Sequence, residues 1–293
     1  IRMDPTDFVT RVSTIKKPFS YLVPYYRFPS TYIIHAANSK EVKRLASIPL
    51  IEDLPKGFMA VREGKRSFKW RVDKPASICF VSALDNGDPK KDVQFRDELF
   101  QFDAPFKNDP VSILKTQNRY YQSSWCNDTL AIVSDYWWNN RNQKTYFFNP
   151  SNPSKEPSII SDRNYQDRYS DPGDFVEERN RYGEYVLLLR NKNLFLIGDG
   201  FSADGQFPFL DELRIGTFKK KRIYESTIEG EKESLRDFNP DDNKLFVRIE
   251  SPNEYPNYFF RNLDGELNQI TYFANPFKSI QNVHKEVIKY KRE

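Results

Sequence analysis

The chain has 293 residues, which is enough for one large all-β unit or for two ordinary domains. Its net charge is only +4, with acidic and basic residues interleaved, so the composition does not indicate a nucleic-acid-binding protein. No stretch approaches about eighteen uncharged apolar residues, so we expect no membrane span. Aromatic residues make up 15% of the chain, which favours sheets over helical bundles.

A motif recurs along the chain: a large aromatic residue, an Asp three positions later, and then an apolar run. It occurs at Trp70–Asp73, Trp125–Asp128 and Phe238–Asp241. Trp70 and Trp125 are 55 residues apart, and Phe238 lies about two further periods on. A weaker copy is expected near residue 180, where Asn180–Glu184 runs into Tyr185–Leu189. This period predicts an all-β fold of four-stranded antiparallel β-propeller blades.

Runs of alternating apolar residues predict the strands of successive blades. The predicted blades cover residues 31–45 (outer strands only), 58–117, 118–162, 170–228 and 232–273. We expect turns at Asp85–Asp88 and Asn149–Pro153, and a glycine-rich loop at Gly198–Gly205. A ring usually closes with about four to eight blades, so we interpret the chain as an incomplete propeller. Its open edges would favour self-association.

Six stretches in chain order resemble one known family. They are Ser20–Pro24 with Arg27–Pro29, Ser67–Arg71 with Asp73–Pro75, Ser124–Ala131, Tyr169–Gly173, Pro208–Asp211, and Asn275–Phe277 with Lys285–Arg292. Together they resemble the β-propeller of the glutamyl endopeptidase branch of the prolyl oligopeptidase family of serine peptidases. The resemblance implies that residues 1–274 are the C-terminal part of a larger propeller, and that residues 275–293 lead toward an α/β-hydrolase domain outside this chain.

The resemblance also implies a role. The propeller would gate the access of peptide substrates to the hydrolase domain, its partner, and the parent protein would cleave peptides after glutamate by acyl transfer. The alternative is a free-standing propeller that binds a protein or peptide, with Tyr136–Trp138 and Tyr120–Tyr121 as contact anchors rather than packing residues. The compartment stays open, with export favoured for a bacterial protein. The chain begins at Ile1, and we expect it to be a piece of a longer protein.

We assign no catalytic, cofactor-binding or metal-binding residue to this chain. A serine hydrolase needs Gly-x-Ser-x-Gly, and the nearest approach, Gly200–Gly205 with Ser202, is one residue too long. The histidines, His35 and His284, are expected to be structural. Asp199 and Asp204 lack the alternating spacing of a calcium loop, so we expect a turn there.

Four further features have a structural and a functional interpretation. Glu177–Glu178 resembles the paired glutamates of dipeptidyl-peptidase relatives, but we expect it in an inner-strand position of a blade. The basic run Phe218–Arg222 is expected to be a solvated hairpin edge rather than a docking patch. Cys79 and Cys126 are expected to be buried free thiols rather than a disulfide, and without Cys/His pairing they make no zinc site. The aromatic residue of each motif should fill space between blades, and its Asp should close a turn through backbone hydrogen bonds.

Overall fold

The structure is a computed structural model that describes residues 10–36, 38, 40–280, 283 and 286–291. It consists of β-strands and two short 3-10 turns, Tyr25–Arg27 and Lys278–Ile280. No helix of this described part is long and apolar enough to cross a membrane. The chain forms two compact units: Ile1–Asp167 with Glu177–Leu188, and Arg168–Val176 with Leu189–Glu293.

Residues 10–164 of the first unit form three antiparallel sheets in which strands follow one another in sequence order. The first sheet consists of β1 (Thr10–Ile15), β2 (Ser30–His35) and β3 (Glu41–Ile48). The second consists of β4 (Lys65–Trp70), β5 (Ser77–Ala83), β6 (Asp97–Asp103) and β7 (Val111–Thr116). The third consists of β8 (Arg119–Asn127), β9 (Leu130–Trp137), β10 (Asn142–Phe148) and β11 (Ser158–Asn164).

The second unit contains two sheets of the same kind, each of four strands. The fourth sheet of the chain begins with β12 (Asp174–Phe175). The chain then leaves it for a hairpin of β13 (Glu177–Arg179) and β14 (Tyr185–Leu187), which belongs to the first unit. The fourth sheet continues with β15 (Asn193–Gly198), β16 (Phe209–Arg214) and β17 (Lys220–Glu225). The fifth sheet consists of β18 (Lys232–Asn239), β19 (Lys244–Glu250), β20 (Asn257–Asn262) and β21 (Leu267–Gln269).

These four-stranded meanders are propeller blades, as the sequence predicted, and their strands fall within the expected ranges except that β11 ends at Asn164, two residues past the predicted end of its blade. The second strand of a blade is covered on both faces, and so β5 and β9 each contain at least four consecutive buried residues. Outer strands such as β11 and β17 contain no buried residue. The structure adds β1 to the first blade, and it ends β21 at Gln269, earlier than the predicted Phe273.

Facing apolar surfaces of neighbouring blades form the core. Trp125 of β8 packs in a buried cluster with residues of the second sheet, including Val81 and Leu114. In the second unit, the ring of Phe238 on β18 lies 5.1 Å from that of Phe195 on β15. The prediction that the motif aromatics fill space between blades is therefore confirmed.

The predicted role of the motif Asp residues was wrong. Neighbouring Asn side chains close the turns: Asn127 accepts a bond from the Thr129 N–H, and Asn239 accepts one from the Asp241 N–H, both at 2.9 Å. The Asp carboxylates bind cations instead. Asp128 pairs with Lys74 at 2.9 Å, and Asp241 pairs with Arg190 at 3.1 Å. Each pair links the first turn of one blade to the first turn of the next.

The expected copy of the repeat near residue 180 was also wrong. Tyr185–Leu187 pairs only with β13 in a separate two-stranded sheet, and β15 takes the blade position that was expected there. Val186, Leu187 and Leu188 are buried, and β14 packs against β8 of the first unit. The apolar run was thus a correct sign of burial, but it belongs to an insertion between the first two strands of a blade.

Candidate functional site

The glycine-rich loop between β15 and β16 holds the one serine that the sequence placed near a nucleophile pattern. Ser202 lies in a turn closed by its own N–H, which donates to the Gly205 carbonyl at 2.8 Å. Its Oγ lies 3.2 Å from that carbonyl and from the N–H groups of Asp204 and Gly205. These contacts make Ser202 a turn residue, in agreement with the predicted blade loop.

Gly200 determines the shape of this loop. It has a φ of 64°, and a Cβ at this position would overlap the carbonyl oxygen of Phe207. The Phe207 N–H donates to the Gly200 carbonyl at 2.9 Å, so the two chain segments lie in direct contact. The loop is therefore a tight crossing of main chain, and it lacks the strand-to-helix turn that presents a catalytic serine.

A cleft of about 530 Å³ opens beside the loop in the second unit. The Arg168 guanidinium stacks on Phe201 at 3.6 Å, and Arg222 stacks on Phe209 at 3.9 Å. Asp211 binds Arg222 at 2.5 Å. Because the guanidinium groups meet carboxylates and ring faces of the same cleft, its charges are largely balanced, and it is not an anion site.

The structure describes one of the two histidines, His35. His35 ends β2 in the first unit. His284 lies outside the described residues. No histidine therefore belongs to the described part of the second unit, which contains Ser202.

The other sequence candidates have structural partners. Asp199 pairs with Arg168 at 3.6 Å, and the described residues contain no cluster of acidic, Cys or His side chains able to hold a metal ion. The basic run lies mainly on β17, the outer strand of its sheet, which confirms the predicted edge. There Arg222 pairs in register with Asp211, and Lys221 with Glu212, so acidic residues of β16 face the basic residues.

Glu177 and Glu178 do not occupy the predicted inner-strand position of a blade. They belong to β13 in the inserted hairpin, where Glu178 lies opposite Val186. The tip of the hairpin is held by Asn180, whose Nδ2 donates to the Val72 carbonyl of the second blade at 2.7 Å. The pair therefore sits on a separate arm attached to the first unit.

Both cysteines are free thiols, as expected, but only Cys79 is buried as predicted. Cys79 is buried in the core between the second and third blades. Cys126 is half-buried; burial, with the charges of Asp73 and Glu178, raises the pKa of its thiol to about 11. Neither thiol has the lowered pKa of a nucleophile.

A buried ion network joins the second and third blades. Arg119, at the start of β8, is 2% exposed and donates twice to Asp85, at 2.8 and 2.7 Å. It also binds Asp97 at 3.1 Å and the Met59 carbonyl at 2.8 Å. Burial alone would raise the pKa of Asp85, but the bonds from Arg119 outweigh it and hold that pKa below its usual range.

An exposed aromatic surface lies next to this network in the first unit. We define the Trp138 surface as Phe58, Trp138 and Arg141. The rings of Phe58 and Trp138 are 5.1 Å apart, and the Arg141 guanidinium stacks on Trp138 at 3.9 Å. Phe58 is 82% exposed and Trp138 is 37% exposed. Trp, Phe and Arg are enriched at protein interfaces, and Trp and Arg are among the side chains that contribute most often to binding energy there.

The sequence located this surface only in part. Trp138 was among the expected contact anchors, and its neighbour Trp137 instead packs against Arg96 at 4.1 Å. Tyr121 is exposed and meets Tyr136 edge to face at 5.6 Å. Phe58 carried no signal beyond marking the start of a blade, because no alternating run surrounds it. Arg119 gave none either, since burial of an arginine depends on partners distant in sequence.

Comparisons with known proteins give two plant relatives that align with nearly the whole of this chain. The chain is 33% identical over 306 residues to a probable glutamyl endopeptidase, chloroplastic, of Oryza sativa subsp. japonica, which covers 99% of this chain and 33% of the relative. It is 33% identical over 300 residues to the protein of the same name from Arabidopsis thaliana. That alignment covers 96% of this chain and 31% of the relative. The chain thus spans about a third of the length of these relatives. No family model matches it.

Solved structures with a similar backbone arrangement were also found. The β-propeller domain of the Trilobed protease from Pyrococcus furiosus matches with a TM-score of 0.47 and 9% identity, over 92% of this chain and 68% of that one. Dipeptidyl peptidase 4 from Porphyromonas gingivalis matches with a TM-score of 0.49 and 11% identity, over 90% of this chain and 38% of that one.

Proposed function

Because this chain is a β-propeller of the glutamyl endopeptidase branch of the prolyl oligopeptidase family, we propose that it is the non-catalytic propeller segment of a serine peptidase. In this proposal it gates the access of peptides to an α/β-hydrolase domain carried elsewhere in the protein. The parent enzyme would cleave peptide bonds after glutamate by acyl transfer.

One observation carries the proposal. Two relatives named as endopeptidases align with nearly all of this chain, yet the chain corresponds to only a third of their length. The remaining two thirds have room for a catalytic domain, which on the family pattern would supply the Ser, Asp and His of the triad. The turn contacts of Ser202 agree with a non-catalytic role for this segment.

The construction of the blades suits a gate. Buried contacts between blades, such as the Trp125 cluster, make each unit stiff, while the connecting loops present the exposed side chains. A stiff frame excludes folded proteins by size and admits extended chains. The contribution of this segment to catalysis would therefore be selection of the substrate, with no bond broken by its own residues.

The absence of chemistry in this chain can be tested with an active-site fluorophosphonate probe. We expect no covalent labelling of the isolated chain, and the same result for Ser202→Ala. Labelling of the chain that disappears in Ser202→Ala would refute the proposal, because it would place a nucleophile on the glycine-rich loop.

The gating role can be tested on the product of the complete reading frame. We expect that product to cleave a short Glu-containing chromogenic peptide, and to leave the same sequence intact within a folded protein. A frame that encodes no Gly-x-Ser-x-Gly segment, or equal cleavage of the two substrates, would contradict the proposal.

The second candidate is a free-standing propeller that binds a protein or peptide. The exposed Phe58 and Trp138 rings favour it, since interface anchors are often aromatic. A stop codon directly after Glu293 would support this candidate, whereas a downstream hydrolase sequence would support the peptidase segment.

A further inference from the structure

The Trp138 surface exposes apolar rings that the fold holds in place from beneath. Met59, next to Phe58, is buried, and its carbonyl accepts a bond from the buried Arg119 at 2.8 Å. The Val61 N–H donates to the Gly87 carbonyl at 3.1 Å, and a Cβ at Gly87 would overlap the Val61 carbonyl. The segment that carries Phe58 is therefore fixed at several points although the ring itself faces solvent.

Trp138 is fixed in a similar way. It precedes the turn between β9 and β10, in which Arg141 has a φ of 59°. The Arg141 Nη1 donates to the Trp138 carbonyl, and its guanidinium carbon lies over the indole, 3.9 Å from the ring centre. Binding to such pre-ordered side chains has a small entropic cost, because their conformations are already restricted.

Arg141 gives the surface a charge. Within the described part of the chain, no carboxylate pairs with Arg141, whereas the nearby Arg96 is paired with Asp85 at 3.0 Å. Apart from the Nη1 bond to the Trp138 carbonyl, the remaining N–H groups of the Arg141 guanidinium can donate to a carboxylate. The surface thus combines two ring faces with one unneutralised cation.

The size of the surface indicates the kind of partner. Two rings 5.1 Å apart offer contact for one or two side chains, far less than the roughly 800 Å² per partner of a stable protein interface. A short extended segment matches this size, and a folded partner does not.

We propose that the Trp138 surface is a peptide-binding site, and that it takes an extended segment in which an apolar side chain stands next to an acidic one. The apolar side chain would lie on Phe58 and Trp138, and the acidic one would pair with Arg141. The choice of a peptide as ligand rests on the proposed function.

The test uses the intact chain and the indole N–H signals of its four tryptophans in a ¹H–¹⁵N spectrum. Trp138→Phe assigns the Trp138 signal. Two blocked tetrapeptides serve as probes, Ala-Leu-Glu-Ala and its counterpart Ala-Leu-Gln-Ala. We expect the glutamate peptide to shift the Trp138 signal with an affinity about fivefold higher than that of the glutamine peptide.

Matched variants separate the two contacts. Phe58→Ala should weaken both peptides about fivefold or more. Arg141→Gln should remove the preference for glutamate, and Arg141→Lys should retain part of it. The controls are Tyr272→Ala and Arg236→Gln, an exposed aromatic and an exposed arginine of the second unit, and both should bind like the unmodified chain. Unchanged positions of the other indole signals would show that each variant is folded.

Equal binding of the two peptides, or a Phe58→Ala variant that binds like Tyr272→Ala, would overturn the inference. So would a dimer of the chain that Phe58→Ala dissociates, since the surface would then bind a second copy. These outcomes are independent of the reading-frame and cleavage tests, so failure of this site and failure of the peptidase proposal can be distinguished.

Discussion

Replacing Arg119 by Met should cost the first unit about 3–5 kcal/mol of stability. Arg119→Met keeps most of the side-chain volume and removes the charge that Asp85 and Asp97 face in the interior. Removing one partner of a buried ion pair costs about 3–5 kcal/mol. Here Asp85 and Asp97 each lose one of two cations and keep only their pairs with Arg96 and Arg66. The Met59 carbonyl loses its bond as well.

The assay follows from the position of the tryptophans. All four, at positions 70, 125, 137 and 138, belong to the first unit, so intrinsic fluorescence during urea unfolding reports on that unit. We expect a lower midpoint with an unchanged slope. Phe238→Ala, in the second unit, is the control that should leave the fluorescence transition in place.

The pH dependence gives an independent check. Arg119 holds the pKa of Asp85 below its usual range, so the stability from this carboxylate is present above about pH 4 and is lost as the pH falls through its folded pKa. In Arg119→Met the buried carboxylate should bind a proton more readily. The difference in unfolding free energy between the unmodified chain and Arg119→Met should therefore shrink as the pH falls from 7 toward 4.

A double variant isolates the charge. Asp85→Asn in the Arg119→Met background removes the carboxylate that has lost its two Arg119 bonds, and the combined loss should be smaller than the sum of the single losses by about 2 kcal/mol. Additive losses, or a loss below about 1 kcal/mol for Arg119→Met alone, would refute the reasoning.

Three further outcomes are expected. Trp125→Ala should destabilise the first unit by about 3–5 kcal/mol in urea unfolding, because it empties a large volume between two blades; a loss below about 1 kcal/mol would contradict this packing. Arg190→Ala breaks an exposed ion pair and should leave the hydrogen-exchange protection of the second unit nearly unchanged. Asn180→Asp keeps the acceptor of the hairpin turn and loses the amide donor to the Val72 carbonyl, so iodoacetamide should label Cys126 faster. Cys79, buried in the core, is the reference thiol. Equal acceleration of labelling at both thiols would indicate global unfolding instead.

The strand pattern of this chain was readable because most of its blades follow one sequence rule. A second strand covered on both faces, such as β9, needs a continuous apolar run, and the large aromatic before it fills the gap between blades. Both features are local in sequence. They sufficed to place the four-stranded blades and the glycine-rich loop.

The failures concern partners that are distant in sequence. Asp128 and Asp241 looked like turn residues, but the adjacent Asn127 and Asn239 close the turns and the carboxylates are free to bind a cation of the preceding blade. The hairpin near residue 180 was mistaken for a blade strand because burial against β8 requires the same apolar run as burial within a blade.

The Trp138 surface could not be predicted in full for the same reason, because its residues are distant in sequence. Trp138 was noticed as one of several aromatics, but only the structure shows that it meets Phe58, 80 positions earlier, while Trp137 packs inward. Exposure of a ring depends on what surrounds it in space, and a pattern of single residues does not contain that information.

The inserted hairpin affects how this polypeptide can be dissected and synthesised. The first unit needs Val186, Leu187 and Leu188, which leave the ribosome only after β12, the first strand of the fourth sheet. Stopping translation at Asp167 would deprive the first unit of buried side chains, and stopping it at Leu188 would separate β12 from the sheet it begins. No single cut in this stretch leaves both units whole, so separate expression of the two units requires overlapping segments.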